Sequence, residues 1–316
     1  MDRPIVTVVQ GKLQGIFEEN VLGSHYLSFK GIPFAAPPVG ELRFKDPEPP
    51  APWEGIRDAS RNAGDVCTQL ELFGALSSQT VIGNSVMVWI HGGAYLEGNG
   101  NDTHYRPDYL MAKDIILISV NYRLGALGFL NLDHKVASGN QGLKDQIAAL
   151  KWIKENIEVF GGDPNNVTVF GASAGGSSTH FLMLSPLSKG LFQKAILQSG
   201  ISTCDWAIIN HSDTNAFKLA SILGVDSKDP KKVIEFLRTV PAAKIVETQY
   251  RVLTPEEARI IFIPFGPTID DKAERPVLPY PISQLLDDDN NIPIMVGNTS
   301  HEYIFFLKGI TKLINL

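Results

Sequence analysis

Apolar residues fall into two patterns along this chain. Up to about residue 66 they come in short alternating stretches, residues 5–9 and 26–29. These lie between turn-rich clusters such as residues 31–40 and the prolines from Pro47 to Pro52. Alternation at period two puts one face of a strand against a core, so short antiparallel strands are expected there. From Val86 onward the runs become continuous: residues 86–90, 115–120, 167–170, 195–198 and 293–296. A strand that is apolar at successive positions is buried on both faces, as in a parallel sheet covered by helices. Helical spacing lies between these runs. Leu143, Ile147, Leu150, Ile153, Ile157 and Phe160 recur three and four residues apart, which predicts a helix over residues 143–160. Lys144, Lys151, Lys154 and Glu155 fall mainly on its other side, and Gly161-Gly162 is its stop signal. Ser212–Leu223 reads as a second helix and Pro230–Thr239 as a third with proline at its start. Strands alternating with helices predict an α/β fold with a doubly wound, mostly parallel sheet.

Two glycine-rich segments follow predicted strands directly, and together they carry chemistry. Gly171-Ala172-Ser173-Ala174-Gly175 sits between the run 167–170 and a helical stretch. A strand, a tight Gly-x-Ser-x-Gly turn and a helix form a nucleophile elbow, which holds a serine hydroxyl exposed for acyl transfer. The alternative is an ordinary Gly-Ser loop, but small residues at 171, 172, 174 and 175 suit a strained turn. His91-Gly92-Gly93-Ala94-Tyr95 follows the run 86–90. Acyl transfer puts negative charge on the carbonyl oxygen, and backbone N–H groups freed by glycines can stabilise it. The elbow supplies a further N–H from Ala174, the residue after the serine. His91 precedes this loop and is expected to hold it by hydrogen bonding rather than to act as the general base.

Composition narrows the partners. The chain has 316 residues, is 44% hydrophobic and carries a formal charge of −6 with a pI near 5.7. With no basic cluster, a nucleic-acid partner is not expected. The N-terminus lacks the apolar run of a signal peptide and no stretch is long enough to span a membrane, so a cytoplasmic protein is expected. Two cysteines, Cys67 and Cys204, make no disulfide framework. No metal or cofactor is implied, since no cluster has ligand spacing.

The chain resembles the type B carboxylesterase family, the group that contains the cholinesterases. The resemblance is carried by residues 29–44, 88–93, 121–130, 142–146 and 160–164, by the elbow, and by 265–268 and 297–302. Phe265-Gly266-Pro267-Thr268 and Gly297-Asn298-Thr299-Ser300 are most similar to insect cytosolic esterases of the α-esterase group. The resemblance implies an α/β-hydrolase fold, read as one partial domain over residues 1–316 and incomplete on its C-terminal side. It also implies a small-molecule carboxylic ester as substrate. Ser173 matches the nucleophile and Glu302 the acid of the catalytic triad. Gly93, Ala94 and Ala174 match the oxyanion donors, and Arg123 and Asp163 match a structural salt bridge.

Three departures from the family pattern stand out. The family histidine follows the acid well along the chain, and none of His25, His91, His104, His134, His180, His211 and His301 matches its position. Without a base Ser173 keeps its proton, so the chain is expected to turn over little or no ester. The alternative is a non-catalytic ester-binding or interaction protein of the same fold. A block that supplies the family with a sheet strand is missing between Cys67 and Val86. Its loss predicts a free Cys67 thiol and an Arg43 without its carboxylate partner. Finally, Ala172 replaces a glutamate before the nucleophile, and Ala94 replaces a third glycine of the oxyanion loop. Loss of the C-terminal elements is further expected to expose an apolar sheet edge.

Overall fold

In a computed structural model of the chain, the described residues are 2–61, 69–75, 83–210, 212–260, 263–287 and 292–302. Strands β1 (Ile5–Val8) and β2 (Gly11–Gln14) form an antiparallel pair; β3 (Ile16–Glu19) and β4 (His25–Pro33) form another. β5 (Ile56–Asp58) adds to β2 in parallel. Then come β6 (Gln69–Ala75), β7 (Asn84–Ile90) and β8 (Ile115–Val120). The short helix α1 (Gly125–Phe129) leads into a hairpin of β9 (Asn131–His134) and β10 (Ala137–Ser138). Helix α2 (Gln141–Asn156), β11 (Gly162–Ala172), α3 (Ala174–Leu184) and β12 (Lys194–Gln198) follow. A helical segment of α4 (Ser212–Leu223), α5 (Pro230–Thr239), α6 (Ala242–Thr248), α7 (Glu257–Ile260) and α8 (Ile282–Leu285) precedes β13 (Ile294–Gly297).

The main sheet runs in the order β3-β4-β6-β8-β7-β11-β12-β13. Its last five strands are mutually parallel and correspond to the five continuous apolar runs of the sequence. The other three strands meet antiparallel at one side. The doubly wound α/β expectation therefore holds, and the sheet has two unlike faces. Val86, Val88, Ile90, Ile116, Ile118, Val167 and Val169 join the larger core against α2 and α3. Their neighbours on the opposite face, Leu117 and Phe170, form a smaller cluster with Tyr26, Phe73 and Met111, with Trp89 packed against it.

Two sequence expectations need correction here. The block between Cys67 and Val86 does not leave the sheet a strand short. β6 occupies that place, antiparallel to β4 and β8, with Leu72 and Phe73 buried. Without β6, the facing edges of β4 and β8 would keep unpaired N–H and C=O groups inside the sheet, which is costly. The helix over residues 143–160 is also two elements. Its α part runs from Gln141 to Asn156, and Ile157–Phe160 is a 3-10 turn closed by Gly161 in the left-handed region, φ 86°. Lys144 lies on its buried side and bonds Asp46 at 2.6 Å. α4 and α5 match their predicted bounds, and Asp229 caps α5 by accepting the Lys231 N–H at 3.0 Å.

Arg43 meets no carboxylate among the described residues. Its guanidinium instead donates to the carbonyls of Leu237, Arg238 and Val240, at the C-terminal end of α5, where backbone acceptors lack helical partners. Cys67 lies outside the described residues; Cys204 is a free thiol.

Candidate active site

β11 ends at Ala172 and α3 begins at Ala174, so Ser173 is the only residue between a strand and a helix. Its φ of 57° and ψ of −123° are strained for a residue with a Cβ. Close packing maintains the strain. A Cβ on Gly175 would overlap the Ile90 carbonyl and lie 2.9 Å from that of His91. The Ser173 N–H donates to the Gln198 carbonyl of β12 at 2.8 Å, and its carbonyl accepts from Ser177 N at 3.0 Å. The side chain itself is exposed at the C-terminal end of the parallel strands. In open α/β sheets that end is where ligands bind.

The His91–Tyr95 loop leaves β7, next to β11, and closes over this turn. A Cβ on Gly92 would lie 2.6 Å from the Ala172 carbonyl and 3.3 Å from the Ser173 Cβ. Gly93, Ala94 and Tyr95 then all have positive φ, 116°, 54° and 60°. Among the described residues, no hydrogen bond uses the N–H of Gly93, Ala94 or Ala174. Those of Leu96 and Glu97 turn back to the Gly93 carbonyl at 2.9 and 3.0 Å. The structure therefore places the loop that carries Gly93 and Ala94 against the turn that carries Ser173 and Ala174.

His91 is buried and stacked on Tyr122, with ring centroids 4.5 Å apart. Its Nδ1 meets the Gly92 carbonyl at 2.7 Å, and burial lowers its pKa to about 4. A neutral imidazole in this contact donates from Nδ1. The Gly92 carbonyl and the Gly93 N–H belong to one peptide plane and point opposite ways. Holding that carbonyl therefore fixes the direction of the Gly93 N–H. This is the loop-holding role expected of His91.

Glu302 follows β13. Its Oε1 accepts from the Ser199 hydroxyl at 2.8 Å and from the Thr299 N–H at 2.5 Å. The Thr299 and Ser199 bonds hold its carboxyl below the usual glutamate range. Ser199, just after β12, has φ 53° and bonds the Gly297 carbonyl of β13 at 2.8 Å through its N–H. Its neighbour Gln198, the last residue of β12, accepts from Ser173, so two successive residues connect the acid side to the elbow. Nothing in the periodicity marked Ser199; its position directly after a parallel strand is the only hint.

The expected pairing of Arg123 with Asp163 is wrong. Arg123 bonds Asp145 through Nε and a terminal nitrogen, both at 2.7 Å, and donates its own N–H to the same carboxylate at 3.0 Å. Both side chains are almost fully buried, and a further bond reaches the Lys45 carbonyl at 2.8 Å. Asp163 instead closes a local turn by accepting the Asn165 N–H at 2.8 Å. A buried guanidinium needs a carboxylate at fork geometry, and Asp145 of α2 faces it.

Of the remaining described histidines, His25 lies in β4 opposite Glu19 of β3, and the other four have partners other than Ser173. The Nδ1 atoms of His134 and His180 accept backbone N–H groups of Val136 and Ser202. Those of His104 and His301 meet the hydroxyls of Thr103 and Ser300. His211 lies outside the described residues. No group of three or more potential metal ligands occurs among the described residues. No described helix is long and apolar enough to cross a membrane.

Comparison with known proteins agrees with this layout. The profile of the carboxylesterase family matches residues 2–82 and 78–314. Esterase E4 of Myzus persicae is 38% identical over 96% of this chain and 57% of its own length. Juvenile hormone esterase of Tribolium castaneum is 37% identical over 95% of the chain and 55% of its own. Para-nitrobenzyl esterase of Bacillus subtilis is 39% identical over 97% and 64%. The crystal structure of juvenile hormone esterase from Manduca sexta, with OTFP covalently attached, superposes with a TM-score of 0.87 at 28% identity. That match covers 99% of this chain and 64% of the other. The chain thus spans little more than half the length of the insect relatives it matches. Family profile, relatives and fold lead to one conclusion: the chain belongs to the carboxylesterase family.

Proposed function

We propose that the protein is a carboxylic-ester hydrolase acting through an acyl-enzyme on Ser173. The Ser173 oxygen attacks the ester carbonyl, and the charge that develops is taken by the N–H groups of Gly93, Ala94 and Ala174. The C–O bond to the alcohol then breaks and the alcohol leaves; water hydrolyses the acyl-serine. The observation that carries this reading is the strained, exposed Ser173 next to three backbone N–H groups without partners among the described residues. Preorganised donors of this kind are worth about 3–4 kcal/mol of barrier each in a serine protease. Glu302, ionised at neutral pH, takes the role of triad acid. The relatives named as esterases support the same substrate class.

The proton of Ser173 needs an acceptor. Among the described residues no histidine bonds Ser173; without such a base the proton passes to solvent and turnover is slow. In another serine hydrolase, loss of the base costs about a millionfold in kcat, yet roughly a thousandfold over water remains. Hydrolysis of p-nitrophenyl acetate by the wild-type chain and by Ser173→Ala tests both parts. The expected result is slow release of p-nitrophenol that disappears in the variant and rises with added imidazole. A rate unchanged by Ser173→Ala contradicts the nucleophile assignment. Binding of the ester without Ser173-dependent release would favour the non-catalytic reading.

A further inference from the structure

The donors placed around Ser173 come from two separate elements: Gly93 and Ala94 from the loop after β7, and Ala174 from the start of α3. A hole built from two elements works only while their relative position is held to about half an ångström. We propose that the Tyr95–Ser177 hydroxyl pair is the clamp that sets this position, making both positioning residues for ester hydrolysis. The inference rests on the assignment of Ser173 as nucleophile.

Tyr95 ends the strained stretch that begins at Gly93. Its side chain is fully buried, with its ring packed edge-on against Phe129 at 5.3 Å between centroids. The ring alone needs only an apolar site. The hydroxyl needs a partner, because a buried polar group without one is costly. It bonds the Ser177 hydroxyl, also fully buried, one turn into α3. Ser177 in turn contacts the carbonyls of Ala174 at 3.2 Å and Ser173 at 3.4 Å through the same oxygen.

The direction of donation follows from counting protons. A serine hydroxyl has one to give. If Ser177 gives it to the Ala174 and Ser173 carbonyls, Tyr95 must be the donor to Ser177. Burial pushes the Tyr95 hydroxyl well above the usual phenol range, so it keeps that proton at any working pH. The result is a buried relay from the residue after Ala94 to the residue that supplies the third N–H. At its other end the Tyr95 carbonyl accepts the Gly125 N–H at 2.6 Å, and the adjacent Ala126 N–H donates to Gln249 at 2.9 Å. The loop is thus held from both sides, and the Tyr95 hydroxyl ties it to α3, through Ser177 and with Ser178 beside it.

The test compares Tyr95→Phe, Ser177→Ala, Ser177→Thr and the Phe/Ala double variant in the full 316-residue chain. With p-nitrophenyl butyrate Tyr95→Phe and Ser177→Ala should each lose roughly tenfold in kcat, the size of one hydrogen bond, with KM within about twofold. Ser177→Thr, which keeps the hydroxyl, should restore the rate, and the double variant should be no worse than the poorer single. An unchanged kcat in Tyr95→Phe, or a loss confined to KM, overturns the clamp. Ser173→Ala is run beside them. If no turnover depends on Ser173, the nucleophile assignment fails separately, and the clamp is judged by amide exchange. Faster exchange in both the 91–97 and 172–178 peptides of the Tyr95→Phe and Ser177→Ala chains sustains it. Exchange as slow as in wild type overturns it.

Discussion

The elbow and the acid stand at the same end of one sheet, yet they are held very differently. Ser173 lies between central strands with both faces covered, and its neighbours meet so closely that glycines are required. Glu302 follows β13, the edge strand, where Ile294, Met295 and Val296 are 52%, 65% and 56% exposed. Its half-buried carboxylate is fixed by hydrogen bonds from Ser199 and Thr299. The difference teaches where rigidity originates. Burial on two faces holds a strained serine at no continuing entropic cost, whereas a half-buried carboxylate beside an edge strand depends on local bonds that solvent competes for.

The largest effect that tests this contrast lies in the buried centre. Asp145→Ala leaves the Arg123 guanidinium buried without its carboxylate, and should destabilise the chain by about 3–5 kcal/mol in urea unfolding. A smaller loss would mean that the Lys45 carbonyl and water replace the carboxylate. Gly175→Ala comes next. Its methyl meets the Ile90 and His91 carbonyls, so a loss of about 1–3 kcal/mol is expected, together with weaker reaction at Ser173. Glu302→Gln should have the smallest effect on folding, with an unfolding midpoint indistinguishable from wild type. A pH titration sharpens the same point. The folded-state pKa of Glu302 lies below the ordinary glutamate value. Its stabilising contribution is therefore complete above that ordinary value and is lost as pH falls through the lowered one. Carboxyl carbon shifts of labelled Glu302 should show this, and a midpoint at or above the usual value would contradict the Ser199 and Thr299 bonds.

The two regions were also unequally legible in the sequence. The five parallel strands could be read because burial on both faces leaves a continuous apolar run. The elbow could be read because its strain demands small residues in a fixed pattern. Glu302 carries no such mark, and only resemblance to relatives singled it out. β6 is not legible in the sequence because Gln69-Leu70-Glu71-Leu72-Phe73 is a short run that mixes polar and apolar residues. Arg123 was given the wrong acid because two aspartates lie in matching motifs. Only the fold shows that Asp145 faces the guanidinium while Asp163 accepts the N–H of nearby Asn165. Lys144 was placed on the solvent side because a stripe of apolar residues says which face is buried, not how wide it is. Tyr95 and Ser177 are 82 residues apart, beyond the reach of any local pattern.

The central claim is that the strained, preorganised elbow makes Ser173 the reactive nucleophile. The direct measurement is reaction of the folded chain with a fluorophosphonate, followed by intact-mass analysis and peptide mapping. A single adduct on Ser173, absent in Ser173→Ala and in urea-unfolded chain, is the predicted result. No adduct on the folded wild type, or an adduct on another residue, would contradict it.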